Sequence, residues 1–444
     1  MKLGSLFDGS GTCPLSASAV GIIPTWASEI EPFPKAVTQS RFSKMVHLGD
    51  ITKIDGAKIE PVDVITFGSP CQNLSIAGNR KGLAGEQSSL FLEAVRVIRE
   101  MRCATNGRFP QIAIWENVYG AFSSTQGEDF KTVLETLWQI CGGGDCVPRF
   151  KEDKSGRQRW PKTGFILGDH SSIAWRGLDA QFWGVPHRRK RVFLVFDLGG
   201  QCAAEILFKR KGLQRDFKKI GRKRNTLRPS VETSLMEHDC VFSVDNHAQD
   251  KRVRLRRDGV VQTLAGRMGT GGGNVPMIVT KIHEKICFSQ SSYSDFSLDN
   301  SSSCLKASGG SYGGGGSETL VAIPYTLKIR GGCKGGGKGA LIQKDKSATL
   351  SCNNDQSLFV PMNIGGRKTI YLVRRLTPTE CASLQGFDKN WCALVPHSDS
   401  AEYKMWGNGM ALPCMLYIME GVQEILSRRF LSNLFDMKEE GEEI

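Results

Sequence analysis

Val62-Asp-Val-Ile-Thr-Phe-Gly-Ser-Pro-Cys-Gln-Asn-Leu-Ser75 decides how this chain is read. Val62 to Thr66 is an apolar run, the pattern of a buried strand. It passes through Gly68, Ser69 and Pro70 and then presents Cys71. A thiol in that place stands at the carboxyl edge of a sheet, where ligands sit in open α/β folds. A cysteine at a strand end is most often just a small buried apolar residue. Its reading as a nucleophile therefore depends on its surroundings.

Outward from that stretch, residues 1–205 alternate short β-branched runs with helical stretches, as parallel sheets with helices on their faces do. Lys2 to Phe7 reads as the first strand and Asp8-Gly-Ser-Gly-Thr12 as a glycine turn, with a helix opening from Pro14 to Val20. Strand, glycine turn and helix in that order let backbone approach a nucleotide-like ligand at a helix amino terminus. Two glycines also suit any tight turn. Pro24 to Ser28 is the second strand. Glu29 at its end is placed to bind ribose hydroxyls, with Glu31 a competitor. Residues 73–89 form a polar, glycine-rich loop of the kind that closes over a site. Leu90 to Met101 has helical periodicity. Gln111 to Trp115 is a strand, and Glu116 stands at its carboxyl end, where it either caps the next element or does acid–base work beside Cys71. Phe130 to Ile140 is an amphipathic helix. The stretch from Cys141 to Gly168 has no assignment. Gly184 to Arg191, rich in basic residues, leads into a buried strand at Val192 to Phe196.

Composition sets the bounds. The 444 residues are 40% hydrophobic and 23% charged, ordinary for a soluble globular protein of two domains. No apolar run has bilayer-spanning length, and the amino terminus lacks a signal-peptide pattern. Fourteen cysteines without C-x-x-C spacing argue against zinc knuckles and a disulfide scaffold, and for a reducing, cytoplasmic setting. The net charge of +13 suits a polyanionic partner. It concentrates between Lys209 and Arg228, where basic residues face a single acid, Asp216. That segment is either a solvated linker or a phosphate-contacting one.

From 209 to about 370 glycine becomes dense and helical periodicity disappears. Phe242-Ser-Val, Phe288-Ser-Gln and Tyr325-Thr-Leu each open a unit. Gln262-Thr-Leu264, Ser303-Cys-Leu305 and Ala348-Thr-Leu350 mark the interior of each. Met277-Ile-Val279, Leu320-Val-Ala322 and Leu358-Phe-Val360 close them. A repeat of roughly forty residues means stacked supersecondary units, and the strand-like closures argue against low-complexity disorder. The α/β style returns at Tyr371, with a helix start at Leu376-Thr-Pro-Thr-Glu380 and an apolar helix from Ala411 to Leu426.

Taken in order, Phe7-Asp-Gly-Ser-Gly11, Pro70-Cys-Gln72, Glu116-Asn-Val118, Arg189-x-Arg191, Arg375-Leu-Thr-Pro-x-Glu380 and Gly407-Asn408 resemble the ordered blocks of the bacterial and phage DNA (cytosine-5) methyltransferases. The resemblance covers roughly 1–205 and 371–430. The repeated Thr-Leu units resemble target-recognition regions of phage and prophage members. It implies a Rossmann-like, S-adenosylmethionine-dependent α/β domain, a mostly parallel sheet with helices on both faces. A smaller glycine-rich, mainly β target-recognition domain would accompany it. The expected division is 1–205 and 371–435 for the catalytic domain, 206–370 for recognition, and 436–444 for an acidic tail. Cys71 would be the nucleophile, Glu116 the partner of the cytosine ring's nitrogen 3, Arg191 the ligand of its carbonyl oxygen and Arg189 its support. Phe7, Gly9, Gly11, Glu29, Ile30, Asp50, Ile51, Pro70, Leu90, Asn408 and Met410 would form the cofactor pocket. Gln72, Ser75, Arg80, Lys81, Lys218, Lys219, Arg222, Lys223, Thr263 and Thr349 would contact DNA. The expected partners are double-stranded DNA and a cognate restriction endonuclease, with no metal, for a monomer.

Three positions depart from the usual pattern of that family: His187 in place of Gln, Ile30 in place of an aromatic residue, and Gly409 in place of Ser. A tRNA methyltransferase of the same fold would have a smaller recognition region. A catalytically dead DNA-binding regulator would not keep Cys71 and Glu116. A dinucleotide oxidoreductase would need a fuller glycine fingerprint.

Overall fold

The computed structural model describes residues 1–68, 89–142, 147, 160–208 and 376–439. Between 240 and 375 it describes 240–247, 250–256, 258, 260–266, 268, 276–282, 287–290, 296–299, 319–321, 326–329, 340–343, 356–364 and 367–375. The chain divides into two compact units, Met1–Leu227 with Ala382–Ile444, and Arg228–Cys381.

The first unit is built on one eight-stranded sheet. Its strands are β1 (Lys2–Leu6), β2 (Ile23–Ser28), β3 (Val46–His47), β4 (Val64–Phe67), β5 (Ile112–Val118), β6 (Thr163–Leu167), β7 (Ser172–Asp179) and β8 (Lys190–Asp197), in the order β3-β2-β1-β4-β5-β8-β7-β6. From β3 to β5 all pairs are parallel. The β5–β8, β8–β7 and β7–β6 pairs are antiparallel. Every residue of β4 is buried, as expected of a central parallel strand covered on both faces.

Helices cover both faces. They are α1 (Thr12–Ala19), α2 (Pro32–Arg41), α3 (Ser89–Ala104), α4 (Glu128–Trp138), α5 (Ala203–Phe208), α6 (Pro378–Leu384, which spans the unit boundary), α7 (Asp399–Asn408) and α8 (Leu412–Glu439). One core gathers Phe67, Phe91, Trp115, Phe130 and Trp175 with α3 and α4. The other gathers Leu3, Val64, Ile114 and Val195 with Cys13 of α1 and Cys414, Ile418 and Val422 of α8. Each large side chain withdrawn from water there contributes about 1.5–3 kcal/mol. The carboxyl-terminal helix thus completes a core begun by the first strand. Gly4 has a specific cause. The Trp26 ring lies over it, and a Cβ there would come within 2.2 Å of that ring.

Among the described residues, the regular elements of the second unit are strands, apart from the start of α6. β9 (Cys240–His247), β10 (Asp250–Arg256), β11 (Met277–Ile282), β15 (Thr326–Ile329), β16 (Ala340–Gln343), β17 (Gln356–Ile364) and β18 (Arg367–Arg375) make one sheet, ordered β10-β9-β11-β18-β17-β15-β16. β12 (Cys287–Gln290), β13 (Phe296–Asp299) and β14 (Thr319–Val321) make another, ordered β13-β12-β14. Tyr371 was the expected point of return to the α/β style. It lies instead within β18, paired on one side with Lys281 and on the other with Val360. The first unit resumes at Ala382.

Candidate active site

The carboxyl edge of the eight-stranded sheet has two ends. At the first, β1 stops at Leu6 and the backbone turns through left-handed conformations at Phe7 (φ 57°), Gly9 (φ 58°) and Gly11 (φ 80°). Glycine adopts them freely. A phenylalanine there costs about 1–3 kcal/mol and persists only where its surroundings over-determine it. Asp8 N donates to Ser28 O at 3.1 Å and Gly11 N to Asp8 O at 3.2 Å, which closes the turn. A Cβ on Gly11 would meet Thr38 Cγ2 at 2.9 Å, whereas one on Gly9 would meet only Phe7 O, at 3.9 Å. Gly11 is therefore needed for packing, and the backbone at Gly9 is open apart from that one oxygen.

Glu29 is fixed against that turn. Gly9 N donates to its Oε2 at 2.8 Å, and Ile30 N and Glu31 N both donate to its Oε1 at 2.8 Å. Glu31, the competing acid, instead pairs with Lys404 at 2.9 Å. Asp50 accepts from Thr52 N at 3.0 Å and Thr52 Oγ1 at 2.9 Å, bonds that hold its carboxyl below the usual range. Ile51 is buried in the core, Leu90 is half-buried against it, and Ile30 is exposed. Met410 is buried and Asn408 exposed, where α7 ends.

Glu116 stands at the second end. It is 8% exposed on β5, and Arg191 Nε on the neighbouring β8 lies 3.0 Å from its Oε1. Burial pushes the Glu116 carboxyl up, against the opposing pull of Arg191 and Arg189. The chain leaving β4 passes between Glu116 and α7's exit. A Cβ on Gly68 would meet Met410 Cε at 3.0 Å and Glu116 Oε2 at 3.4 Å. Cys71 follows three residues later in sequence. Cys71 itself lies outside the described residues, as do Pro70, Gln72, Ser75, Arg80, Lys81, Lys218, Lys219, Arg222, Lys223 and Thr349, and most of the unassigned 141–168 segment. Thr263 is described and exposed.

Arg189 is almost wholly buried. Its Nη2 donates to Gly407 O at 3.1 Å and also to Gly409 O. A cation among the last carbonyls of α7 suits the helix dipole. Arg189 thus holds the Gly407-Asn-Gly409 exit in place. His187, fully buried, is kept neutral by burial and by Arg189 and Arg191, against a hydrogen bond to the Leu384 backbone.

Several groups at this edge carry no motif and escape sequence reasoning. Trp391 Nε1 donates to Ser10 O at 2.9 Å, and Thr12 Oγ1 to Met410 O at 3.3 Å. Arg41 Nε donates to Trp391 O at 2.9 Å. Together they fasten the carboxyl-terminal segment onto the glycine turn. The only sequence signal was a tryptophan in a polar loop. Asp8 is buried inside the turn and accepts from Ser5 Oγ at 2.6 Å, and burial pushes its carboxyl up to about 7. Burial likewise pushes Cys13 up to about 12, so that thiol stays protonated.

The C-5 cytosine-specific DNA methylase family matches residues 1–141 and 170–424. The chain belongs to that family. A type II methyltransferase, M1.ScrFI of Lactococcus lactis subsp. cremoris, is 24% identical over 430 residues, covering 96% of this chain and 79% of its own. A protein of Escherichia phage P1 named DNA N-6-adenine-methyltransferase is 26% identical over 490 residues, covering 96% of this chain, which spans 61% of that relative. Among solved structures, a DNA modification methyltransferase encoded in an E. coli prophage aligns with a TM-score of 0.43 at 16% identity, covering 96% of this chain and 99% of its own. No helix among the described residues is long and apolar enough to cross a membrane.

Proposed function

We propose that this methylase transfers a methyl group from S-adenosylmethionine to carbon 5 of a cytosine in double-stranded DNA, through a transient bond to Cys71. The observation that carries the reading is Glu116, a buried carboxyl whose pKa is raised and whose side chain faces Arg191 at 3.0 Å. Carbon 5 of cytosine is a poor nucleophile. It becomes one when a thiolate adds to carbon 6 and the ring's electrons move toward carbon 5 and nitrogen 3. A carboxyl that keeps its proton can give nitrogen 3 that proton or a hydrogen bond as charge develops. Arg191 holds the carbonyl oxygen of the same ring. Arg189, tied to the Gly407 and Gly409 carbonyls, keeps Asn408 and Met410 in position.

Open backbone at Gly9 and the oriented Glu29 carboxylate fit the cofactor, with Glu29 accepting from ribose hydroxyls and Phe7 lying on the adenine. When bound, the cofactor supplies a methyl on a sulfonium, which carbon 5 attacks. A water then takes the carbon 5 proton, and the Cys71 sulfur leaves carbon 6 with the bonding pair. A duplex base must leave the helix to reach this edge. The loop carrying Gln72, Ser75, Arg80 and Lys81 closes on the DNA, and Lys218, Lys219, Arg222 and Lys223 lie on its phosphates. The modification serves a restriction–modification system or phage DNA protection, with the enzyme acting as a monomer.

The test is sequencing of DNA from cells expressing the chain, by bisulfite conversion and in parallel for N6-methyladenine. New 5-methylcytosine at defined sequences is expected. N6-methyladenine instead would assign the activity carried by the name of the phage P1 relative.

A further inference from the structure

Two contacts from one short stretch back the chain that aims Glu29. Ile30 N and Glu31 N both donate to Glu29 Oε1, so residues 30 and 31 set the direction of that carboxylate. Glu31 is the N-cap of α2, and its side chain pairs with Lys404 of α7 at 2.9 Å. Phe33 follows in the first turn of α2. The His397 ring stacks on it, with centroids 4.7 Å apart and planes 30° apart. Both contacts come from residues 397–404. The helix that supplies Lys404 ends at Asn408, beside the Gly407 and Gly409 carbonyls held by Arg189.

His397 is itself fixed from two sides. Its Nδ1 lies 2.6 Å from Val395 O, and its Nε2 lies 2.6 Å from Glu402 Oε2. Val395 O can only accept. Glu402 is buried and takes the Trp406 indole hydrogen on its other oxygen, at 2.9 Å. An imidazole with a hydrogen on each nitrogen serves both acceptors at once, whereas a neutral ring turns a lone pair toward one of them. The protonated ring is also a cation over the Phe33 face, which attracts it. Protonation therefore tightens the anchor and the stack together.

The groups that face His397 are few. Glu402 and Asp399 come from α7, the Val395 carbonyl from its own segment, and the Phe33 ring from α2. Cys392 lies beyond Glu402, and burial pushes its thiol up so that it stays protonated. The Glu31–Lys404 pair bridges the same two helices.

We propose that His397 is a positioning residue for the cofactor: anchored on Glu402, it backs Phe33 and so keeps the Glu29 carboxylate aimed at the ribose. This rests on the reading above, that Glu29 accepts from the cofactor's ribose hydroxyls. Burial opposes the charge on His397, but the Val395 carbonyl, Glu402 and Asp399 outweigh it and raise its pKa. The backing is therefore firm below the ordinary histidine value, and it loosens as pH rises through the folded one. Cofactor affinity falls with it.

The test is calorimetric titration of the purified full chain with S-adenosylmethionine, without DNA, across the pH range in which the protein stays folded. The Kd of the wild type is expected to rise about two- to fivefold as His397 loses its proton. Asp8 lies at the same turn and is unchanged in every variant, so the difference between profiles reads His397. His397→Gln should bind at low pH as weakly as the wild type does at high pH. Phe33→Leu removes the stacked ring and leaves the bond between His397 and Glu402. It should lose the His397-dependent part of the affinity profile and keep the pH dependence of thermal unfolding. A role in stability alone would move affinity and unfolding together. Parallel affinity profiles for wild type and His397→Gln overturn the proposal, as does a Phe33→Leu profile with the wild-type slope. Should His397→Gln fail to fold, Phe33→Leu decides by the same comparison. Unchanged cofactor affinity in Glu29→Ala contradicts the underlying role of Glu29 instead.

Discussion

Glu29 and Glu116 stand at the same edge of one sheet and are held in different ways. Glu29, after β2, takes three backbone N–H bonds on its two oxygens. That fixes its direction and leaves it able to accept from a ligand. Glu116, on β5, is buried beside one guanidinium, and its pKa is raised. It is arranged to keep or share a proton. In the proposed reading the same side chain serves as a binding group at one end and an acid at the other, through backbone donors in one case and desolvation in the other. The two ends also share their fastening. Trp391, Thr12 and Arg189 tie the carboxyl-terminal segment to the glycine turn and to the turn that enters β8.

Substitutions separate the two ends. The largest effect is expected from Glu116→Gln, which keeps the shape and removes the acid. The methylation kcat should fall by about 10²–10⁴ with the KM for S-adenosylmethionine nearly unchanged. Its pH dependence has a definite sign. A carboxyl with a raised folded-state pKa keeps its proton further up the pH scale, so the Glu116-dependent rate should decline as pH rises through that value. The decline should be absent in Glu116→Gln. Measurement of kcat across the pH range in which the protein stays folded checks both, and a rise in cofactor KM alone would place Glu116 with Glu29. Glu29→Ala comes next and should behave oppositely. Loss of hydrogen bonds worth about 1–3 kcal/mol raises the cofactor KM by about ten- to a hundredfold and leaves saturated kcat close to wild type. Steady-state kinetics with saturating DNA reads this directly.

The smallest effect concerns the carboxyl-terminal fastening. His397 lies 2.6 Å from Glu402 and stacks on Phe33 of α2. Burial opposes its charge, but the Val395 carbonyl, Glu402 and Asp399 outweigh that and raise its pKa. Its contribution is full below the ordinary histidine value and is lost as pH rises through the folded one. His397→Gln should therefore cost about 0.5–1 kcal/mol at pH 5.5 and less at pH 8.5. Thermal unfolding at both values checks this, and an equal cost at each would refute the linkage.

The comparison also marks where sequence was sufficient. β1, β2, β4 and β5 were legible because each is a short apolar run feeding glycine or an acid, and central parallel strands have few other patterns. Which of Glu29 and Glu31 faces the turn was not legible. That choice depends on Lys404, far away in sequence. The β6–β7 hairpin escaped because β6 is an edge strand exposed at Thr163, Phe165 and Leu167, beside a glycine-rich stretch. In the second unit the repeat marked where units open and close. It could not give the pairing. Pairing placed Tyr371 inside the second unit and, among the described residues, left β12, β13 and β14 in a sheet of their own. Arg189 was read as support for the site, and its contacts run to the α7 exit.

The central claim is that a thiolate at Cys71 adds to carbon 6 before carbon 5 accepts the methyl. DNA in which the target cytosine carries fluorine at carbon 5 tests it most directly, because the final loss of a proton from carbon 5 cannot occur. Incubation with the purified protein and S-adenosylmethionine should give a protein–DNA complex that survives denaturing electrophoresis. Mass spectrometry should place the bond on Cys71, and Cys71→Ser should form no complex. A protein that methylates ordinary DNA yet forms no such complex, or whose Cys71→Ser variant still forms it, would contradict the mechanism.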